Sequence, residues 1–306
     1  MSEAPYQPPQ LAKANGIEIC YDIFGSPQDE PMVLIMGLAA QMVMWDDEFC
    51  AELASRGFRV IRFDNRDIGK STRFSGGSRL TVMELLKLRF LRVAPESVYK
   101  LRDMAADVIG LLDSLGIASA HIVGLSMGGM IAQEIAIRYP QRVRSLTSIM
   151  SSTGNPKLPA PAKEAASILL APAPTTKEEY IERFAQTWKI LRQGSFPQDE
   201  AKDRQRAELT YSRGLNPPGV MRQLRAILAS GSRKDALRNI RIPALVIHGT
   251  VDPLVRPIAG KDTAKSIPGA KLLMVEGMGH ALPMPMWPQV IDAIVTHARG
   301  ASKAAA

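Results

Sequence analysis

The sequence predicts an α/β fold: a mostly parallel central sheet flanked by helices, carrying one helical insertion. Three observations carry this. Short β-branched runs alternate with longer helical patterns over residues 17–150. Four helical patterns without a strand then follow, over about 151–240. Alternation resumes from about 241. Strands alternating with helices imply parallel strands joined by crossovers and covered on both faces.

The expected strands before the insertion are Ile17–Phe24, Met32–Met36, Arg59–Asp64, His121–Leu125 and Val143–Met150. The helices between them are Met42–Arg56, Leu101–Leu115 and Met127–Tyr139. In the second helix, Met104, Val108, Leu111, Leu112 and Leu115 recur at the spacing of one helical face, and Gly116 follows as its C-cap. The segment Asn155–Thr176, with five prolines, opens the insertion. Its helical patterns are Ala162–Leu170, Lys177–Arg192, Asp199–Arg213 and Pro218–Ser230. Strand Ala244–His248, helix Arg256–Ser266, strand Lys271–Val275 and helix Pro288–Ala298 complete the pattern. The expected organisation is therefore a core of 1–150 and 241–306, with 151–240 as a helical segment inserted into it. Nothing in the tail Ala298–Ala306 asks for order.

Composition narrows the function classes. Of 306 residues, 46% are hydrophobic and 22% charged, which excludes a disordered, collagen-like or coiled-coil chain. No apolar run approaches the roughly 20 residues needed to cross a bilayer, so no stable membrane insertion is expected. Residues 1–10 carry three prolines and no apolar stretch, unlike a secretory signal. Cys20 and Cys50 then read as reduced thiols of a cytoplasmic protein. The net charge is +8, and residues 201–241 hold ten Lys or Arg against three Asp or Glu. No nucleic-acid motif accompanies them, so no nucleic-acid partner is expected. Interleaving such as Met221-Arg222-Gln223-Leu224-Arg225 reads as the solvated face of an amphipathic helix, with selection of anionic substrates as the rival reading.

The sharpest chemical signal is Gly124-Leu125-Ser126-Met127-Gly128-Gly129. Gly-x-Ser-x-Gly recurs by chance, but here it directly follows an apolar strand and opens a helix. In that setting the serine sits on a tight strand-to-helix turn that projects its hydroxyl above the sheet. The positions two before and two after must be tiny because the two backbones meet there. A nucleophilic serine needs a base and an orienting acid, and folds with this turn place them in the order serine, acid, histidine. Of four histidines, His121 starts the strand at the wrong end of the sheet, His248 lies in a buried strand and His297 in the last helix. His280 lies in the irregular loop Glu276-Gly277-Met278-Gly279-His280-Ala281-Leu282-Pro283 and is the candidate base. Asp252, just past a strand and 28 residues earlier, is the candidate acid. Glu276 is too close to His280 in sequence, and Met150-Ser151-Ser152-Thr153 offers no carboxylate. An oxyanion would need two backbone N–H donors: Met127, after the serine, and Leu38, in the loop after Met32–Met36.

The chain resembles the α/β-hydrolase superfamily, and within it the aclacinomycin methylesterase group of carboxylesterases. The likeness is carried by Leu34-Ile35-Met36-Gly37-Leu38, by Val60 to Ser71, by Gly124 to Gly129 and by Gly277 to Pro283. Met36 stands where the superfamily usually has His, and Asp67 where many relatives have Gly. The resemblance implies the α/β-hydrolase fold with 151–240 as an inserted helical cap or lid, and Asp64 and Arg66 as loop supports; read from the residues, these two are a structural pair at a strand end. The implied activity is hydrolysis of short- to medium-chain carboxylic esters through Ser126, Asp252 and His280, without metal or organic cofactor. The same machinery serves lactonases, C–C bond hydrolases and perhydrolases, and a slow ligand receptor can share the fold. The expected pocket wall is Met36, Gly37, Trp188 and Met278, with Met127, Met284, Met286, Phe184, Leu191 and Tyr211 nearby. Methionines would make such a pocket soft and apolar.

Overall fold

In the computed structural model, residues 5–77, 80–171, 173–193, 196 and 199–305 are described. The chain opens with an antiparallel hairpin, β1 (Tyr6–Ala14) and β2 (Ile17–Phe24). It turns at Asn15-Gly16, both at positive φ, the geometry of a two-residue hairpin. Then come β3 (Glu30–Ile35), α1 (Asp47–Ser55), β4 (Phe58–Phe63), α2 (Val82–Leu86), α3 (Leu101–Ser114), β5 (Ala120–Leu125), α4 (Met127–Arg138) and β6 (Val143–Ile149). The segment that follows holds α5 (Lys163–Leu170), α6 (Lys177–Arg192), α7 (Glu200–Ser212), α8 (Pro217–Ser230) and α9 (Lys234–Leu237). The chain returns to the sheet with β7 (Ala244–Gly249), α10 (Pro257–Ser266), β8 (Lys271–Val275) and α11 (Trp287–Ala305).

The eight strands form one sheet in the order β1-β2-β4-β3-β5-β6-β7-β8. β1 and β2 run antiparallel, β2 meets β4 antiparallel, and every later pair is parallel. Period-two alternation feeds two cores. Val33, Ile35, Ile61, Phe63 and Ile122 point to the side of α3 and α4. Met32, Leu34, Val60 and Val123 point to the side of α1 and α11. Because β3, β5, β7 and β8 are parallel, their carboxyl ends lie along one edge, where the chain leaves the sheet in loops.

Four local expectations need correction. β1 was not anticipated; Pro8 and Pro9 fit because it is an edge strand whose register shifts between Gln7 and Gln10. The helix expected over Met42–Arg56 is a short turn, Met42–Met44, and then α1, because Trp45 and Asp46 between them are extended. α2 and the π-helical turn Lys87–Leu91 after it were also not anticipated. The tail expected to lack order continues α11 to Ala305, with Ala306 outside the described residues. Ala298 and Ala301 are buried there, and the Ser302 hydroxyl donates to Glu30 Oε2 at 2.6 Å.

Candidate active site

Ser126 is the N-cap of α4 and sits at φ 55°, ψ −118°, a conformation that L-residues rarely adopt. The turn closes because its neighbours lack side chains. A Cβ on Gly124 would lie 2.1 Å from the Gly128 carbonyl oxygen, and one on Gly128 would lie 2.1 Å from that of Ile35. One on Gly129 would meet the Ser151 side chain at 2.6 Å. The elbow therefore wedges α4 against β3, β5 and the end of β6, and holds the serine hydroxyl at the carboxyl edge of the sheet.

His280 reaches the same point from the loop after β8. Its Nε2 lies 2.9 Å from Ser126 Oγ, and its Nδ1 lies 2.7 Å from Asp252 Oδ2. The ring is buried, and its loop is clamped on both sides. The His280 N–H donates to the Leu191 carbonyl at the end of α6 at 2.6 Å. Gly279 packs so closely on Leu191 and Arg192 that a Cβ would fall 2.3 Å and 2.2 Å from their carbonyl oxygens. Asp252, 1% exposed, is fixed by its other oxygen, which accepts from the N–H groups of Leu254 (2.9 Å) and Val255 (2.8 Å). Burial pushes the Asp252 carboxyl up, but the His280 charge and hydrogen bonds from His248 and His280 outweigh it and hold it down at about 2. Glu276, the weaker rival, is exposed.

His248, expected as a buried strand residue, lies in β7 and neighbours the acid. Its Nε2 donates to the Val255 carbonyl at 2.7 Å and lies 3.5 Å from Asp252 Oδ2. The only cue in the sequence was its spacing of four from Asp252. His121 is at the opposite end of the sheet, between Ser145 and Glu30. His297 is buried in α11.

The loop after β3 passes beside the serine; a Cβ on Gly37 would lie 3.2 Å from Ser126 Cβ. Met127 is the first residue of α4, so its N–H has no acceptor within the helix. In the other loop the Ala39 N–H is taken by Gln223 Oε1 at 3.1 Å and the Ala40 N–H by the Gly37 carbonyl. Leu38 lies between these fixed points. Asn65 Nδ2 also donates to the Met36 carbonyl at 2.9 Å. Asn65 and Gln223 thus hold this loop on either side of Leu38. Gln223 was missed; its signal in the sequence was a glutamine at helical spacing from Val220, Ala226 and Ile227, and the structure buries it fully.

Asp64 and Arg66 do not pair with each other. Asp64 accepts from the backbone N–H of Met42 (2.8 Å) and Lys70 (3.0 Å) and pairs with Arg213. Arg66 makes a bidentate pair with Asp107, 2.6 Å at each contact, in α3. Both neighbours come from elsewhere in the fold, which a strand-end reading could not reveal.

A cavity of about 1000 Å³ opens over the serine. Met36, Gly37, Leu38, Ser126, Met127 and His280 line its floor. Phe184, Trp188 and Leu191 of α6 line the opposite wall, within an aromatic ladder Tyr211–Tyr180–Phe184–Trp188 of ring centroids 5.8, 6.0 and 5.9 Å apart. Met278, expected on the wall, is instead fully buried in the α11-side core, because the tight crossing of Gly249 and the Met278 backbone turns its side chain inward. Met284 is exposed, Met286 packs on that same core, and Tyr211 touches Tyr180 without reaching the cavity. Among the described residues no cluster of His, Cys, Asp or Glu has the arrangement of a metal site, and no helix is long and apolar enough to cross a membrane. Cys20 and Cys50 are both buried and free.

The chain is 29% identical to rhodomycin D methylesterase of Streptomyces sp. strain C5, over 96% of this chain and 99% of that one. It is equally identical, over the same shares, to rhodomycin D methylesterase of Streptomyces peucetius. Among solved structures, a hydrolase from Pseudomonas aeruginosa PA01 superposes with a TM-score of 0.70 at 25% identity, covering 95% of this chain and 98% of that one. The family model for the alpha/beta hydrolase fold matches residues 30–285. With that match spanning most of the sheet and the whole helical segment between β6 and β7, the chain belongs to the α/β-hydrolase family.

Proposed function

We propose that this chain is a serine carboxylesterase acting through Ser126, His280 and Asp252. The observation that carries the reading is the unbroken relay from Ser126 Oγ to His280 Nε2 and from His280 Nδ1 to Asp252, at 2.9 and 2.7 Å, opening into an apolar cavity. The methylesterase names of its relatives point the same way. Ser126 Oγ attacks the ester carbonyl while His280 Nε2 takes its proton. Asp252 accepts from Nδ1–H, fixing the tautomer and stabilising the imidazolium. The Met127 and Leu38 N–H groups receive the oxyanion. His280 then protonates the leaving alkoxide, and a water activated by the same ring hydrolyses the acyl-enzyme.

In this reading residues 151–240 form a cap whose α6 and α8 roof the cavity. Its Met, Leu and aromatic lining suits an uncharged acyl or alcohol group. The cavity leaves room for esters well beyond acetate. Hydrolysis of p-nitrophenyl acetate, butyrate and octanoate by wild type and Ser126→Ala tests it. Turnover is expected to rise from acetate to butyrate or octanoate and to fall by at least about 10³-fold in the variant. Equal turnover in the two proteins would end the esterase reading.

A further inference from the structure

The stretch 80–98 does something no part of the hydrolytic machinery requires. It bears large apolar side chains in water: Val82 is 74% exposed, Phe90 71% and Leu91 68%, and Met83, Leu86, Val93 and Val98 are exposed too. A monomer seldom leaves so many together without a use for them. On α2, Val82, Met83 and Leu86 fall within one arc of about 100° while Leu85 turns inward, half-buried, so the apolar stripe faces outward. The stretch is built to hold its shape. Thr81 and Glu84 form a reciprocal capping box, and Glu84 is paired with Arg225 of α8 at 2.9 Å.

The charges beside the stripe lean positive. Residues 80–98 contain Lys87, Arg89 and Arg92 against Glu84 and Glu96, and Glu84 is already taken by Arg225. Lys87 and Arg92 are exposed. Apolar side chains interleaved with the exposed cations Lys87 and Arg92, which outnumber the one exposed carboxylate, Glu96, match an anionic lipid surface, where the apolar groups enter the headgroup boundary and the cations meet lipid phosphates. A second copy of the chain fits worse. A symmetric contact would bring Lys87 and Arg92 of both copies into one interface, on molecules each already carrying +8.

We propose that residues 80–98 dock the protein, peripherally and reversibly, on anionic bilayers. Leu80 and Gly77 line the cavity, so docking places one rim of the cavity against the lipid. If the ester reading above holds, apolar esters dissolved in the bilayer reach Ser126 without crossing water. The docking itself does not depend on that reading.

Co-sedimentation of the full chain with large vesicles tests the docking. One set is three parts phosphatidylcholine to one part phosphatidylglycerol, the other phosphatidylcholine alone. Binding to the anionic vesicles is expected to exceed binding to neutral ones at least about tenfold and to weaken about tenfold from low to high salt. Leu86→Ser with Phe90→Ser, and separately Lys87→Glu with Arg92→Glu, should each lower it tenfold or more. Circular dichroism and thermal unfolding report whether each pair of changes leaves the fold intact. The charge pair alters only exposed side chains, so it decides the matter if the apolar pair fails to fold. No sedimentation with anionic vesicles, or sedimentation unchanged in a folded variant, would overturn the proposal. So would a dimer in analytical ultracentrifugation that either pair of changes dissolves.

Discussion

Asp252 shows how one side chain is asked to do two things. Its Oδ1 closes a turn onto the Leu254 and Val255 N–H groups, the usual work of Asp before Pro, while Oδ2 faces His280. The carboxylate is buried, so it stays ionised only because the His280 charge and hydrogen bonds from His248 and His280 outweigh burial and hold it at about 2. The folded value lies below the unfolded value of about 3.9. Its contribution, of order 2–3 kcal/mol, is therefore present above about pH 4 and is lost as pH falls through 2. Asp252→Asn should lower ester turnover about 10⁴-fold by favouring the wrong imidazole tautomer. It should also flatten the loss of stability between pH 4 and pH 2 in urea unfolding. An Asn variant with the wild-type acid profile would remove Asp252 from that role. The residues of this site were legible because the chemistry admits few types: four histidines and one well-placed carboxylate leave little choice. Met278 was not legible, because a loop residue's side-chain direction depends on a backbone crossing, here Gly249 against Met278, that no local pattern announces.

The strand–turn–helix of β5 and α4 is held by contacts between backbones. Gly128→Ala would drive a Cβ into the Ile35 carbonyl oxygen at 2.1 Å, with no flexible atom to yield. Gly57→Ala is the control: its φ is +84°, but nothing lies within 4 Å of the added carbon. We expect about 1–2 kcal/mol lost at Gly57, from the left-handed backbone alone. At Gly128 the loss should be about 3 kcal/mol or more, or folding should fail outright. Chemical denaturation of both variants decides it, and equal losses would refute the close-packed elbow. Elements with strong periodicity were legible to within a residue or two: Lys177–Arg192 and Lys271–Val275 fall where the pattern puts them. The weaker ones were not. β1 carries two prolines, tolerated only because it is an edge strand. α2 and the turn after it bury little, so no inward-facing stripe marked them.

For the molecule as a whole, the basic excess of residues 201–241 has a structural outlet. Arg206 pairs with Asp46, Arg213 with Asp64, Arg222 with Asp67 and Arg225 with Glu84. In each pair the arginine comes from the helices between β6 and β7, and the carboxylate from the first hundred residues. For these four arginines, ion pairs across this boundary take the place of a solvated face, while Arg204, Arg238 and Arg241 remain exposed. Sequence alone shows Arg222 next to a methionine; it does not show the carboxylate 155 positions away that pairs with it. Asp67 is the tightest knot, accepting from Arg222 at 2.7 and 2.9 Å, from the Tyr99 hydroxyl at 2.7 Å and from the Phe74 N–H at 2.8 Å. Arg222→Met should cost about 3 kcal/mol by stranding a buried carboxylate, and adding Asp67→Asn should restore part of it. Strictly additive losses in urea unfolding would show that the pair is not coupled.

All of this positions one hydroxyl, and its chemistry can be read directly. The protein would be treated with a fluorophosphonate, digested and mapped by mass spectrometry while ester turnover is followed. One phosphonyl group per chain on Ser126, with turnover lost in proportion, is the expected result. Label on another residue, or full turnover from protein labelled at Ser126, would contradict it.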